Sequence, residues 1–135
     1  MHFGVGGEKK IESSSNLTKN YLGEIEKRPW GNYHIIARNL GYQIKEIKVS
    51  INSKLSLQKH NYRAEFWQII KGKCKVTVGD KQQELNDNDH IYIPKDTFHR
   101  IENIGGDELI FVEIQLGHDI KEDDIIRIED DYGRV

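Results

Sequence analysis

The stretch Leu55-Ser56-Leu57-Gln58-Lys59-His60-Asn61-Tyr62-Arg63-Ala64-Glu65-Phe66-Trp67-Gln68-Ile69-Ile70-Lys71-Gly72 sets an amide, an imidazole and a carboxylate inside a run of strand-forming residues. Gln58 and His60 stand two apart, so on an extended strand their side chains leave the same face. Four residues separate His60 from Glu65, enough for a tight connection that returns the carboxylate to the imidazole. Downstream, Tyr92-Ile93-Pro94-Lys95-Asp96-Thr97-Phe98-His99 offers a second imidazole after another short apolar run. Imidazole nitrogens with carboxylate and amide oxygens suit one borderline divalent ion. Zn²⁺ is the first choice, with Mn²⁺, Fe²⁺, Co²⁺ or Ni²⁺ as competitors.

Outward from this stretch the same texture continues. Short runs at residues 34–37, 42–51, 64–70, 74–78, 90–93 and 109–116 are rich in strand formers. Several alternate with a period of two, as in Gln43-Ile44-Lys45-Glu46-Ile47-Lys48-Val49. Turn residues punctuate them, and Gly79-Asp80 between two runs reads as a hairpin. Many short strands with almost no helical period predict an antiparallel barrel or jelly roll. Residues 1–20, rich in Gly, Ser, Lys and Asn, read as a flexible tail, with folding against a partner subunit as the other option. The acidic stretch 119–135 reads two ways: pinned to the barrel by Ile120, Ile125, Ile126 and Ile128, or solvated.

A chain of 135 residues is one domain with room for a core. Its net charge of -2 gives no reason to expect nucleic acid or an anionic membrane as partner. A lone cysteine, Cys74, forms no internal disulfide and reads as packing. No apolar run approaches the roughly 20 residues of a membrane helix, and no signal-peptide pattern opens the chain. The expected location is the cytoplasm.

The motif spacing resembles the cupin family. Its first motif, Gly-x5-His-x-His-x3,4-Glu-x6-Gly, matches Asn52, Gln58, His60, Glu65 and Gly72. Its second motif, Gly-x5-Pro-x-Gly-x2-His-x3-Asn, matches Asn88, Pro94, Asp96, His99 and Asn103. Three family glycines are thus replaced by Asn52, Asn88 and Asp96, the residue types that best tolerate positive φ. Within cupins, Gln58-x-His60-x-x-Arg63-x-Glu65 is similar to mannose-6-phosphate isomerases of the second type, whose cupin often forms the C-terminal half of a bifunctional mannose-1-phosphate guanylyltransferase. Arg28-Pro29-Trp30-Gly31, Glu113-Ile114-Gln115-Leu116-Gly117 and Asp131-Tyr132-Gly133-Arg134 extend the likeness to both ends of the domain. That family usually has His where Phe66 stands; on a strand Phe66 faces away from Glu65.

The resemblance implies a cupin-type jelly-roll β-barrel over residues 21–135, holding one divalent ion through Gln58, His60, Glu65 and His99. It implies a stand-alone isomerase interconverting mannose 6-phosphate and fructose 6-phosphate through an enediolate, since no guanylyltransferase half accompanies the cupin. The alternatives are a non-catalytic sugar- or sugar-phosphate-binding cupin of polysaccharide or nucleotide-sugar metabolism, and an Fe²⁺ oxygenase. Glu113 and Arg100 are the candidate catalytic residues. Glu113 shares a strand face with Phe111 and Gln115, and that face is either a polar mouth or the solvent side. Lys45, Arg63 and Arg100 are the candidate cations for a phosphate, each with a plain surface charge as its other reading. Trp30, Tyr33 and Trp67 are either a sugar-stacking wall or core, with core favoured for Trp67. Cupins pair barrels, so a homodimer is expected by analogy.

Overall fold

The computed structural model describes residues 23–133, and the tail expected at residues 1–20 lies outside them. Eleven strands follow one another: β1 (Glu26–Arg28), β2 (Gly31–Asn39), β3 (Tyr42–Val49), β4 (Leu57–Lys59), β5 (Ala64–Lys71), β6 (Cys74–Val78), β7 (Lys81–Leu85), β8 (His90–Ile93), β9 (His99–Asn103), β10 (Leu109–Leu116) and β11 (Ile126–Glu129). They form two antiparallel sheets, ordered β1-β2-β3-β10-β5-β8 and β11-β4-β9-β6-β7. This is the expected jelly roll. Among the described residues no helix is long and apolar enough to cross a membrane.

Alternation decides which face of each strand turns inward. In β3, Gln43, Lys45, Ile47 and Val49 are buried, while the residues between them are partly covered. In β10 the buried set is Leu109, Phe111, Glu113 and Gln115. Register then stacks these residues in rows across the first sheet. Leu109 lies beside Val49, and Phe111 lies between Ile47 and Ile69. Glu113 lies between Lys45 and Trp67, and Gln115 between Gln43 and Glu65. The interior therefore has an apolar floor and a polar mouth, because each of three neighbouring strands changes chemistry at the same level. The floor is completed by Val76, Ile93, Ile101, Leu85 and Cys74. Burying each large aliphatic or aromatic side chain of this kind stabilises the fold by roughly 1.5–3 kcal/mol.

Turns at three positions require a left-handed backbone: Asn52 (φ 61°), Asn88 (φ 72°) and Asp96 (φ 57°). These are three of the four sites where the family motifs have glycine, the fourth being kept as Gly72, and Asn and Asp meet that demand at least cost among side-chain-bearing residues. Gly31 has a different reason, close approach, since a Cβ there would lie 2.0 Å from the Lys48 carbonyl oxygen. Asn103 closes the floor. Its Nδ2 donates to the carbonyls of Val49 and Asp107 at 3.0 and 2.9 Å, and its Oδ1 accepts from the Gly105 amide.

The C-terminal stretch is docked. β11 pairs with β4, and both carboxylate oxygens of Asp124 accept backbone amides, of Asn61 and Tyr62, at 2.9 Å each. Phe66 faces outward and stacks on His90, as strand parity requires.

Candidate metal centre

His60, Glu65 and His99 come from three different places: the loop after β4, the start of β5 and the start of β9. Two local devices bring them together. Gln58 and His99 are direct partners across β4 and β9, so their side chains share a face. The Asp96 amide donates to the His60 carbonyl at 2.9 Å, tying the second motif to the first. The ligand atoms of His60, Glu65 and His99 all lie within 4.8 Å of one another, and all three residues are buried.

Hydrogen bonding fixes the tautomers. His60 Nδ1 lies 2.6 Å from the Asp124 carbonyl oxygen, and His99 Nδ1 lies 2.8 Å from that of Thr97. A carbonyl only accepts, so both Nδ1 atoms carry the proton and both Nε2 atoms present lone pairs. His99 Nε2 is buried without a hydrogen-bond partner, 3.7 Å from Glu65 Oε1. His60 Nε2 sits 3.2 Å from Glu65 Oε2, and Arg63 Nη2 donates to it at 3.2 Å. Two ring lone pairs thus face a carboxylate, with a backbone carbonyl orienting each ring from behind. Such a donor set fits a divalent cation. Gln58 lines the same cavity.

A second carboxylate stands one row over. Glu113 Oε1 accepts Trp67 Nε1–H at 3.1 Å, and the same indole N–H reaches Glu65 Oε1 at 3.0 Å. Glu113 Oε2 accepts Gln115 Nε2 at 2.6 Å. Behind it a directed chain runs outward: Gln43 Nε2 donates to Gln115 Oε1, and Arg38 Nε donates to Gln43 Oε1. The cavity holds about 170 Å³, over ten times what one water needs, and Arg28, Trp30, Tyr33, Lys45 and Arg63 line it too.

Burial is the largest influence on these groups. It pushes His60 down to about 4, helped by the Arg63 charge and opposed by the Asp124 carbonyl. Burial would also raise the Glu65 carboxyl, but the electrostatic pull of the neighbouring His99 ring and the Arg63 guanidinium, with the hydrogen bonds from Arg63 and Trp67, holds it below its usual range. Glu113 moves the other way. Burial and the neighbouring Glu65 raise it, while Lys45, Arg63 and the Gln115 amide only partly offset them.

Lys45, Arg63 and Glu113 line the cavity together with Gln58, His60 and Glu65. Arg100 does not, and its expected place at the mouth is corrected. It follows His99 on β9, so it points to the opposite face, where it bonds the Leu55 carbonyl (2.9 Å) and the Glu129 carboxylate (3.1 Å). Trp30, Tyr33 and Trp67 all line the cavity as well as belonging to the core. Sequence reasoning missed Glu122, whose carboxylate lies 3.0 Å from Lys45 Nζ, and the buried amides of Gln43 and Gln115. The amides were signalled by sharing strand parity with Lys45 and Glu113. Glu122 lay in a charged run with no such period.

Comparison with known proteins places this geometry. The family model described as "Mannose-6-phosphate isomerase C-terminal" matches residues 16–130. The chain is 42% identical over 108 residues to a mannose-1-phosphate guanylyltransferase, ManC, of Salmonella typhimurium, covering 80% of this chain and 22% of the relative. It is 43% identical over 108 residues to the alginate biosynthesis protein AlgA of Pseudomonas aeruginosa, with the same two shares. Among solved structures, Bacillus subtilis oxalate decarboxylase, studied for its Mn(II) centers, aligns with TM-score 0.66 and 20% identity, over 78% of this chain and 30% of that one. The Schizosaccharomyces pombe Cnp3 cupin domain aligns with TM-score 0.61 and 11% identity, over 70% of this chain and 68% of that one. At such identities the likeness is one of fold, and the chain has the cupin fold.

These findings correct the expected stand-alone isomerase. Relatives such as ManC are named for guanylyl transfer and others for alginate biosynthesis, and the chain spans only about a quarter of their length. The chain belongs to the mannose-6-phosphate isomerase C-terminal family.

Proposed function

We propose that this chain is the metal-holding, sugar-phosphate-binding part of a mannose-1-phosphate guanylyltransferase-type system, and that its chemistry is proton transfer within that system. The observation that carries the reading is the convergence of His60 Nε2, His99 Nε2 and the Glu65 carboxylate, with Glu113 one row away. His60, Glu65, His99 and Gln58 would hold one divalent ion, Zn²⁺ by preference or Mn²⁺, Fe²⁺, Co²⁺ or Ni²⁺. Bound there, the ion would supply Lewis-acid polarisation of a sugar carbonyl or hydroxyl.

The chain's own residues do the rest. Glu113 accepts N–H donors at both oxygens, which fixes its carboxylate facing the cavity as a proton acceptor. Lys45 and Arg63 supply positive charge for the phosphate, and Trp30 and Tyr33 a wall for the sugar ring. Cytoplasmic location and a homodimer belong to the same reading. Support for pairing two copies comes from the outer face of the first sheet, where Ile44, Phe66, Ile110, Val112 and Ile114 are only partly covered. Sedimentation of the purified chain checks this.

The test of the reading is metal content with sugar-phosphate binding. Wild type is expected to carry about one divalent ion per chain and to bind mannose phosphates. His60→Ala and His99→Ala should each lose the ion, at least tenfold in affinity. Glu113→Gln should keep both ion and ligand yet lose hexose-phosphate turnover in the presence of a guanylyltransferase partner. Metal-free wild type, or full turnover by Glu113→Gln, contradicts the assignment.

A further inference from the structure

Lys45 carries its charge in an unusual place. Its side chain is 7% exposed, on the inward face of β3, with Nζ 4.2 Å from the centre of the Tyr33 ring. A buried ammonium needs a close anion, and the carboxylate that pairs with it directly is Glu122, at 3.0 Å, with Glu113 as its cross-strand neighbour. The partnership is lopsided, because the Glu122 side chain is 52% exposed. Glu122 can turn into water at small cost, whereas Lys45 cannot leave.

The backbone around Glu122 is built for such a turn. Upstream, Gly117 is pinned: its amide donates to the Gly41 carbonyl at 3.1 Å, and a Cβ there would lie 2.5 Å from the Tyr62 carbonyl oxygen. Downstream, Asp124 is pinned by the two backbone amides and by the His60 ring. Between these anchors residues 118–123 form no strand, and Glu122 from this segment lines the cavity. Their other tie to the site is a long hydrogen bond of 3.4 Å from Arg63 Nη1 to the Lys121 carbonyl. Gln43 Nε2 also reaches Glu122, at 3.3 Å, but keeps a shorter bond to Gln115, at 2.9 Å, when Glu122 is gone.

We propose that Lys45 is an anion subsite whose built-in occupant is the Glu122 carboxylate, and that a sugar phosphate monoester enters by displacing it. The inference rests on the pocket being a sugar-phosphate site. A phosphate monoester brings about -1.5 to -2 charges and three acceptor oxygens against one carboxylate, so it wins the competition for Lys45 and Arg63. A neutral sugar has no charge to offer. Were it to push Glu122 aside, it would leave a buried ammonium without its direct ion-pair partner, facing only the cross-strand Glu113. Glu122 thereby discriminates phosphorylated from free sugars, and Lys45 is never left uncompensated.

Calorimetric titration of the full metal-loaded chain with mannose 6-phosphate, inorganic phosphate and mannose tests this. Glu122→Gln removes the competing charge and is expected to tighten both phosphate-bearing probes roughly five- to twentyfold, with mannose unaffected. In a Lys45→Met background the same change should have no effect. Hydrogen exchange supplies a second readout: amides of residues 118–123 should exchange faster in wild type when mannose 6-phosphate is added. Unchanged or weaker phosphate binding by Glu122→Gln overturns the inference, as does equal tightening for mannose or slower exchange at 118–123. If metal-loaded wild type binds neither phosphate probe, the sugar-phosphate reading itself falls, and the inference with it.

Discussion

His60 and His99 each donate Nδ1–H to a main-chain carbonyl, which leaves both Nε2 lone pairs turned toward Glu65. That arrangement has a cost without a cation, and pH exposes it. In the folded chain His60 is held at about 4 against an ordinary value near 6.5. Between these values the unfolded chain binds a proton that the folded chain refuses, so stability rises with pH across the window. The contribution is complete above pH 6.5, lost as pH falls to 4, and on the order of 3 kcal/mol. Chelator-treated protein should therefore show a urea midpoint that falls from pH 7 to pH 4.5, and His60→Gln should flatten that fall. An equal slope in the variant contradicts the assignment. His60, Glu65 and His99 were legible as a set because motif spacing alone brings them together. Arg100 lies away from the cavity because strand parity sends it, the neighbour of His99, to the opposite face. Glu122 was invisible, since its place beside Lys45 depends on a contact between residues far apart along the chain.

At the scale of the element, turns and strand parity carry the design. Asn52, Asn88 and Asp96 hold φ of 61°, 72° and 57°, in place of the glycines of the family motif. Replacing Asn52 or Asn88 with Ala should cost about 1 kcal/mol each, whereas Gly should be neutral or slightly stabilising. Thermal unfolding of the four variants measures this, and an Ala variant as stable as its Gly counterpart contradicts it. The long strands of the first sheet were readable because residues 43–49 follow a period of two and Leu109–Leu116 is a sustained run of strand formers; burial then alternates over eight residues in each. Much of the second sheet was not. β4 has three residues, β9 reads His-Arg-Ile-Glu-Asn with one aliphatic residue, and β7 is exposed for most of its length. Such strands take their identity from partners rather than from their own pattern. The C-terminal stretch left two readings open in sequence for the same reason. Its docking is decided by the Asp124 clasp and by β11 pairing with β4, neither of which has a local signature.

At the scale of the molecule, one gradient organises the barrel. Rows of Val49–Leu109 and Ile47–Phe111–Ile69 give way to Lys45–Glu113–Trp67 and Gln43–Gln115–Glu65, so the floor is dry and the mouth charged. The floor fixes where the strands sit, and the strands fix where two rings and two carboxylates meet. Polar groups at the mouth bond one another through Trp67, Gln115, Gln43 and Arg63, whereas His99 Nε2 is buried with no hydrogen-bond partner. That nitrogen is what a bound cation would satisfy, and it makes the central claim open to direct test. Anomalous diffraction from crystals grown with Zn²⁺ or Co²⁺ locates such an ion. The account predicts a single peak about 2.0–2.2 Å from His60 Nε2, His99 Nε2 and a Glu65 oxygen. A protein crystallised in excess metal with no peak between these atoms, or with its peak elsewhere, contradicts it.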